Sequence, residues 1–172
     1  MADAGSMPAH AYIPSRAYDA GIGEGRWQGD PAQRAVLPAL DRIHQALTAA
    51  PSNRGWLGRL FGCPEPVTDQ QTRGLYLWGG VGRGKTFLVD LLAHSLPARA
   101  VLRRHFHRFM GEVHAALKPL RDEGRSDPLA IVAQTIAARC RLLCLDEFVV
   151  HDIGDAMILT GLLDGLFEHG VT

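Results

Sequence analysis

Gly79-Gly80-Val81-Gly82-Arg83-Gly84-Lys85-Thr86 constrains this chain more than any other stretch. These residues fit the pattern G-x-x-x-x-G-K-[ST] and follow an apolar run, Leu75-Tyr76-Leu77-Trp78, that reads as a buried strand. A strand that turns at once into a helix through glycines can wrap its backbone N–H groups around phosphate oxygens, because a Cβ at those positions would block both the turn and the approach. Gly79, Gly80, Val81, Gly82, Arg83 and Gly84 are therefore expected to cradle the phosphates of ATP. Lys85 is placed on the β- and γ-phosphates, and Thr86 holds Mg²⁺ through its hydroxyl. The helix through Phe87, Leu88, Leu91 and Leu92 adds its N-terminal dipole. Lys85 and Lys118 are the only lysines in a chain otherwise rich in arginine, so a lysine at this position is not compositional drift.

Such a site needs an acidic residue at the end of another buried strand, and Leu142-Leu143-Cys144-Leu145-Asp146-Glu147 supplies one. The apolar run is too short for a helix of its own and reads as a strand of a parallel sheet covered on both faces. Asp146 at its carboxyl end suits the magnesium shell, and Glu147 is positioned to polarise a water for attack on the γ-phosphate. A kinase moving phosphate to a bound hydroxyl has less need of that second carboxylate, so the Asp-Glu pair favours an ATPase over a kinase.

A length of 172 residues, a formal net charge of +0 and 47% hydrophobic residues fit one ordinary globular domain, and exclude collagenous and disordered classes. Balanced charge gives no global drive toward nucleic acid or acidic membranes. Cys63, Cys140 and Cys144 are odd in number, which suggests reduced core thiols of a cytoplasmic protein rather than a disulfide framework or a metal site. Met1 to His10 carries no apolar signal core, and no run is long enough to span a bilayer.

Residues 1–29 read as a flexible lead-in around Gly21-Ile22-Gly23-Glu24-Gly25, whose G-x-G-x-G fragment lacks the preceding strand that a dinucleotide site requires. Residues 30–70 read as a helix and linker: Asp30-Pro31 caps the helix, and Val36, Leu40, Ile43 and Leu47 form its face. Pro38 is expected to kink that helix or delay its start. Trp56, Leu57, Leu60 and Phe61, flanked by Arg54 and Arg59, form an apolar patch that suits packing against the main domain, with a peripheral membrane contact as the other use. From residue 71 onward the nucleotide-binding core begins. Ala100 to Phe109 reads as a second strand, with His105 and His107 on one face of it. Its arginines and aromatics could bind single-stranded nucleic acid by stacking, although aromatics serving as core is the favoured reading. Met110, Val113 and Leu117 carry a helix to Pro119. Asp127-Pro128 and Asp152 cap two more helices, Gly170 ends the last, and Val171-Thr172 opens a further strand.

Taken together, these residues resemble the AAA+ ATPases that include the bacterial cell division protein ZapE and its mitochondrial Afg-type relatives. The segment Gly74 to Thr86, the segment His105-Phe106-His107-Arg108-Phe109-Met110 with His114, and the segment Leu143 to Phe148 followed by Asp152-Ile153 and Asp155-Ala156-Met157 carry the likeness. Asp30-Pro31-Ala32-Gln33 and the Trp56 patch agree with it. The resemblance implies a three-layer α/β sandwich of the P-loop NTPase, AAA+-like type. It also implies ATP and Mg²⁺ as cofactors, with Lys85 and Glu147 catalytic and Thr86 and Asp146 at the metal. The activity it implies is ATP hydrolysis coupled to a division-ring or protein-remodelling task on a protein client, by a homo-oligomer in the cytoplasm. In that fold a polar sensor residue lies on the strand after Gly170, between the strands bearing Lys85 and Asp146. The sheet is accordingly expected to be incomplete at the C-terminus and the chain to be part of a longer ATPase. The alternative is a non-hydrolysing, helicase-loader-like adaptor that holds single-stranded DNA through Arg103, Arg104 and Arg108.

Overall fold

Aspartate caps set where three helices begin. In the computed structural model, which describes residues 13–49 and 72–172, Asp30 Oδ1 accepts from the N–H groups of Ala32 (2.7 Å) and Gln33 (3.3 Å) and starts α2, Pro31–Thr48. Asp127 accepts from Ala130 N–H at 3.0 Å ahead of α5, Pro128–Ala137. Asp152 does the same for α6, Ile153–Glu168, at 2.6 Å from Gly154 and 3.2 Å from Asp155. Each cap satisfies N–H groups that the helix itself leaves without a partner. The remaining elements are α1 (Pro14–Gly23), α3 (Lys85–His94), a short 3₁₀ turn (Ala98–Ala100), strands β1 (Val101–His105) and β2 (Leu142–Asp146), and α4 (Phe106–Asp122).

The two strands run parallel, with Val101 opposite Leu142 and His105 opposite Asp146. Helices cover both faces of the pair, as the apolar reading of β2 requires. On one face Leu102, Leu143 and Leu145 meet a core built from Phe106, Phe109, Met110, Val113 and Leu117 of α4, Val132 and Ala133 of α5, and Leu159, Leu162 and Leu166 of α6. The α4 residues recur at the spacing that puts them on one side of a helix. On the other face Val101, Leu142 and Cys144 meet Tyr18 of α1, Leu37, Leu40 and Ile43 of α2, and Leu88 and Leu92 of α3. The result is a helix–sheet–helix α/β sandwich.

Several expectations are corrected. Residues 14–23 are not a flexible lead-in: they form α1, and Tyr18 is fully buried. Gly21-Ile22-Gly23 end that helix, and Glu24-Gly25 form the turn that leaves it. A Cβ on Gly21 would stand 1.9 Å from the Trp27 ring, so the indole occupies the room that the missing side chain leaves. The second strand stops at His105, and Phe106 already belongs to α4, which places His107 on a helix rather than on a strand face with His105. Pro38 lies inside α2 without ending it, and α4 runs past Pro119 to Asp122. Leu75 to Trp78 is not a strand: 72–80 has no regular structure, and Leu75, Tyr76 and Trp78 are exposed. The Trp56 patch and Cys63 lie outside the described residues.

The physical reason for the missing strand lies at the other edge of β2. Thr172 N–H donates to Arg141 C=O (2.9 Å), and Leu143 N–H donates to Thr172 C=O (2.8 Å), which is a parallel bridge on the side of β2 away from β1. Thr172 Oγ1 in turn reaches Thr72 C=O at 3.4 Å. Val171-Thr172 thus begins the strand expected between β2 and the segment before the glycine loop. Apart from that contact the segment has no ladder partner among the described residues, so its apolar side chains alone do not make it a strand. A two-sided strand is stable only when its backbone groups are paired.

Candidate nucleotide site

The glycine loop adopts backbone that only glycine takes readily. Gly79, Gly82 and Gly84 have φ of 141°, 78° and 77°, and α3 starts directly after Gly84. The Lys85 ammonium folds back across the loop and donates to the carbonyls of Gly79 (2.9 Å) and Gly80 (2.7 Å), using two of its three donors. A positive charge is thereby held inside a concave turn at a helix N-terminus, where the backbone favours anions.

Between this loop and β2 lies a groove of about 900 Å³. Lys85 and Thr86 line one side, and Asp146 and Glu147 line the other, at the carboxyl end of β2. Segment 74–79 and the Val171-Thr172 edge close it further along. Among the described residues Glu147 is the only non-glycine with positive φ, at 54°. Such a conformation costs on the order of 1–3 kcal/mol in a residue with a side chain and is retained where the surroundings over-determine it. The four residues that sequence reasoning placed on phosphate, metal and water therefore face one cleft.

Arg103 is a site residue that sequence reasoning missed in this role. From β1 its Nε donates to Asp146 Oδ2 at 2.8 Å, and its Nη1 pairs with Asp90, one turn after Thr86 on α3. It bridges the helix after the loop to the acidic end of β2, and both carboxylates raise its pKa, the hydrogen bond to Asp146 most. Arg104 and Arg108 both meet Glu112, at 3.2 and 3.4 Å. The only sequence signal was that Arg103 precedes the histidine-rich segment; its partners lie 13 and 43 residues away. Cys144 faces the same side of β2, and burial pushes its thiol up to about 11, so it stays protonated at neutral pH. Cys140 is buried, Cys144 is half-buried, and both are free thiols.

The AFG1-like ATPase family model matches residues 12–172. The chain belongs to this family. It is 44% identical over 166 residues to the cell division protein ZapE of Escherichia coli strain K12, an alignment covering 92% of this chain and 44% of that protein. An uncharacterised protein of Schizosaccharomyces pombe is 31% identical over 186 residues, with 92% and 41% covered. Lactation elevated protein 1 homolog B of Danio rerio is 43% identical over 108 residues, with 58% and 22% covered. The chain spans less than half the length of these relatives. No solved structure matches it significantly. Among the described residues no helix is long and apolar enough to cross a membrane.

Proposed function

We propose that this chain is the nucleotide-binding part of an ATPase that couples ATP hydrolysis to mechanical work on a protein client, of the division-ring kind that the name of its Escherichia coli relative suggests. The observation that carries the reading is the convergence of Lys85, Thr86, Asp146 and Glu147 on one groove at a helix N-terminus.

The donor set fits Mg-ATP. Gly79 to Gly84 and the first turn of α3 would offer N–H groups to the phosphates, and Lys85 would exchange two loop carbonyls for phosphate oxygens. A hydroxyl at Thr86 and a carboxylate at Asp146 are hard oxygen ligands suited to Mg²⁺, which when bound would neutralise charge on the β- and γ-phosphates. Glu147 would orient the attacking water and take up its proton, its backbone turned out of β2 by the positive φ. Phosphoryl-transfer sites of this kind are often completed by an arginine that stabilises the transition-state charge, and here it would come from a neighbouring copy in a cytoplasmic homo-oligomer of the longer protein. The adaptor reading is less favoured, because Arg103 is engaged by Asp90 and Asp146, and Arg104 and Arg108 both meet Glu112.

Calorimetric titration of Mg-ATP tests the reading. Saturable binding is expected, with Lys85→Ala reducing it at least tenfold and Glu147→Gln retaining it while stopping phosphate release in the longer protein. Binding unaffected by Lys85→Ala would sink the assignment of the loop.

A further inference from the structure

We propose that Gln33 is a positioning residue of the nucleotide site, through which the α1–α2 pair holds the phosphate loop in shape. The inference rests on the reading of that loop as the nucleotide site.

A chain of hydrogen bonds carries it. Asp30 N–H donates to the Tyr18 hydroxyl at 2.9 Å, and that hydroxyl donates to Gln33 Oε1 at 3.1 Å. With Oε1 taken by the phenol, Nε2 points the other way and donates to the carbonyl of Arg83 at 3.3 Å, in the middle of the glycine loop. The reverse amide orientation would set Oε1 against the Arg83 carbonyl oxygen, acceptor against acceptor. The contact continues at the next residue: a Cβ on Gly84 would stand 2.4 Å from Gln33 Nε2. Gly84, at φ 77°, is the residue from which α3 starts. Gln33 thus seats directly on the turn that aims the loop's N–H groups.

The far end of the chain is anchored. Tyr18 is fully buried, Trp27 Nε1 donates to its backbone carbonyl at 3.0 Å, and both rings pack on Phe87, two residues after Lys85. Tyr18 and Phe87 lie 6.1 Å apart, and Trp27 and Phe87 meet edge to face at 4.9 Å. The helix pair therefore grips the loop from its carbonyl side and α3 from its apolar side. Because such coupling is reciprocal, nucleotide in the loop would also steady α1 and α2.

Two measurements on the chain and its variants test this: Mg-ATP affinity by calorimetry, and hydrogen exchange of loop and α3 amides without nucleotide. Gln33→Ala is expected to weaken Mg-ATP about five-fold, the equivalent of one hydrogen bond of about 1 kcal/mol. Gln33→Glu is expected to weaken it more than tenfold, since a carboxylate would face both the Arg83 carbonyl and the phosphates. Both variants should speed exchange at 84–88, and Tyr18→Phe, which keeps the ring and loses the relay, should reproduce the Ala effect in part. Both substitutions at the partly buried Gln33 should lower the melting temperature by no more than about 2–4 °C, the equivalent of that one hydrogen bond, with the transition still cooperative, which separates positioning from a loss of fold. Unchanged exchange together with unchanged affinity in both Gln33 variants would overturn the proposal. Absence of binding in the parent chain would instead overturn the nucleotide reading, and with it this one.

Discussion

Replacing Arg103 with Met keeps most of the side chain's apolar stem and removes the charge that holds Asp90 and Asp146 together. The Arg103 and Asp146 side chains retain 31% and 23% of their exposure, which puts that pair between the surface and buried regimes. A contribution of about 1.5 kcal/mol is reasonable there. Asp90 is 38% exposed, and its pair with Arg103 belongs with surface bridges of about 0.5 kcal/mol. The substitution should therefore cost about 2 kcal/mol, or about 4–8 °C in melting temperature for a domain of this size. It leaves two carboxylates facing each other beside the groove, so millimolar Mg²⁺ without nucleotide should restore part of the loss in the variant and do little for the parent. Thermal melts of the parent, Arg103→Met, Asp90→Asn and the double variant, with and without Mg²⁺, measure both effects. A melting temperature within 1 °C of the parent for Arg103→Met, or additive losses in the double variant, would refute the bridge as a stabilising element.

Two further outcomes follow from the packing. His44 is buried at 6% exposure with Nδ1 2.9 Å from Ser95 Oγ, which donates its own proton to Leu92 C=O at 2.7 Å, so the ring carries a hydrogen on Nδ1 and donates it to that hydroxyl. Burial lowers its pKa below the ordinary 6.5, with Asp41 opposing, so the unfolded chain binds the proton more readily. Stability should be complete above about pH 6.5 and fall as the pH drops below it, and urea titrations across that range should show a smaller fall in His44→Gln. Asp152→Ala should remove the cap of α6 at a cost of about 1 kcal/mol, read as a lower urea midpoint with an unchanged slope. An Asp152→Asn variant should recover most of it.

The glycine loop, the aspartate caps and the acidic end of β2 were legible in the sequence because each depends on residues within a few positions of one another. Asp30, Asp127 and Asp152 bond to N–H groups two or three residues on, and Gly84, Lys85 and Thr86 are adjacent. The apolar run of β2 also read correctly, since four consecutive apolar residues need cover on both faces. Leu75 to Trp78 has the same local pattern and is not a strand. A strand is a pairing, and Thr172, 100 residues from Thr72, is what lies beside the start of that segment. Helix α1 was missed because its glycines look like a loop until Trp27 fills the space above Gly21.

Two arginines in a row on β1 show the same division. Nothing local distinguishes Arg103, which ties Asp90 to Asp146, from Arg104, which meets Glu112. The amino-acid sequence by itself determined the glycine loop, the order of helices and strands that follow it, and the identity of Lys85, Thr86, Asp146 and Glu147 as candidates. These are consequences of backbone freedom, side-chain chemistry and short-range capping. Tertiary structure alone decided that Gln33 sits on the loop, that Arg103 holds the carboxylate of Asp146, and that a groove opens between loop and sheet. Those depend on contacts between residues 13 to 100 positions apart, and such contacts exist only once the apolar faces of the helices have been buried against the sheet.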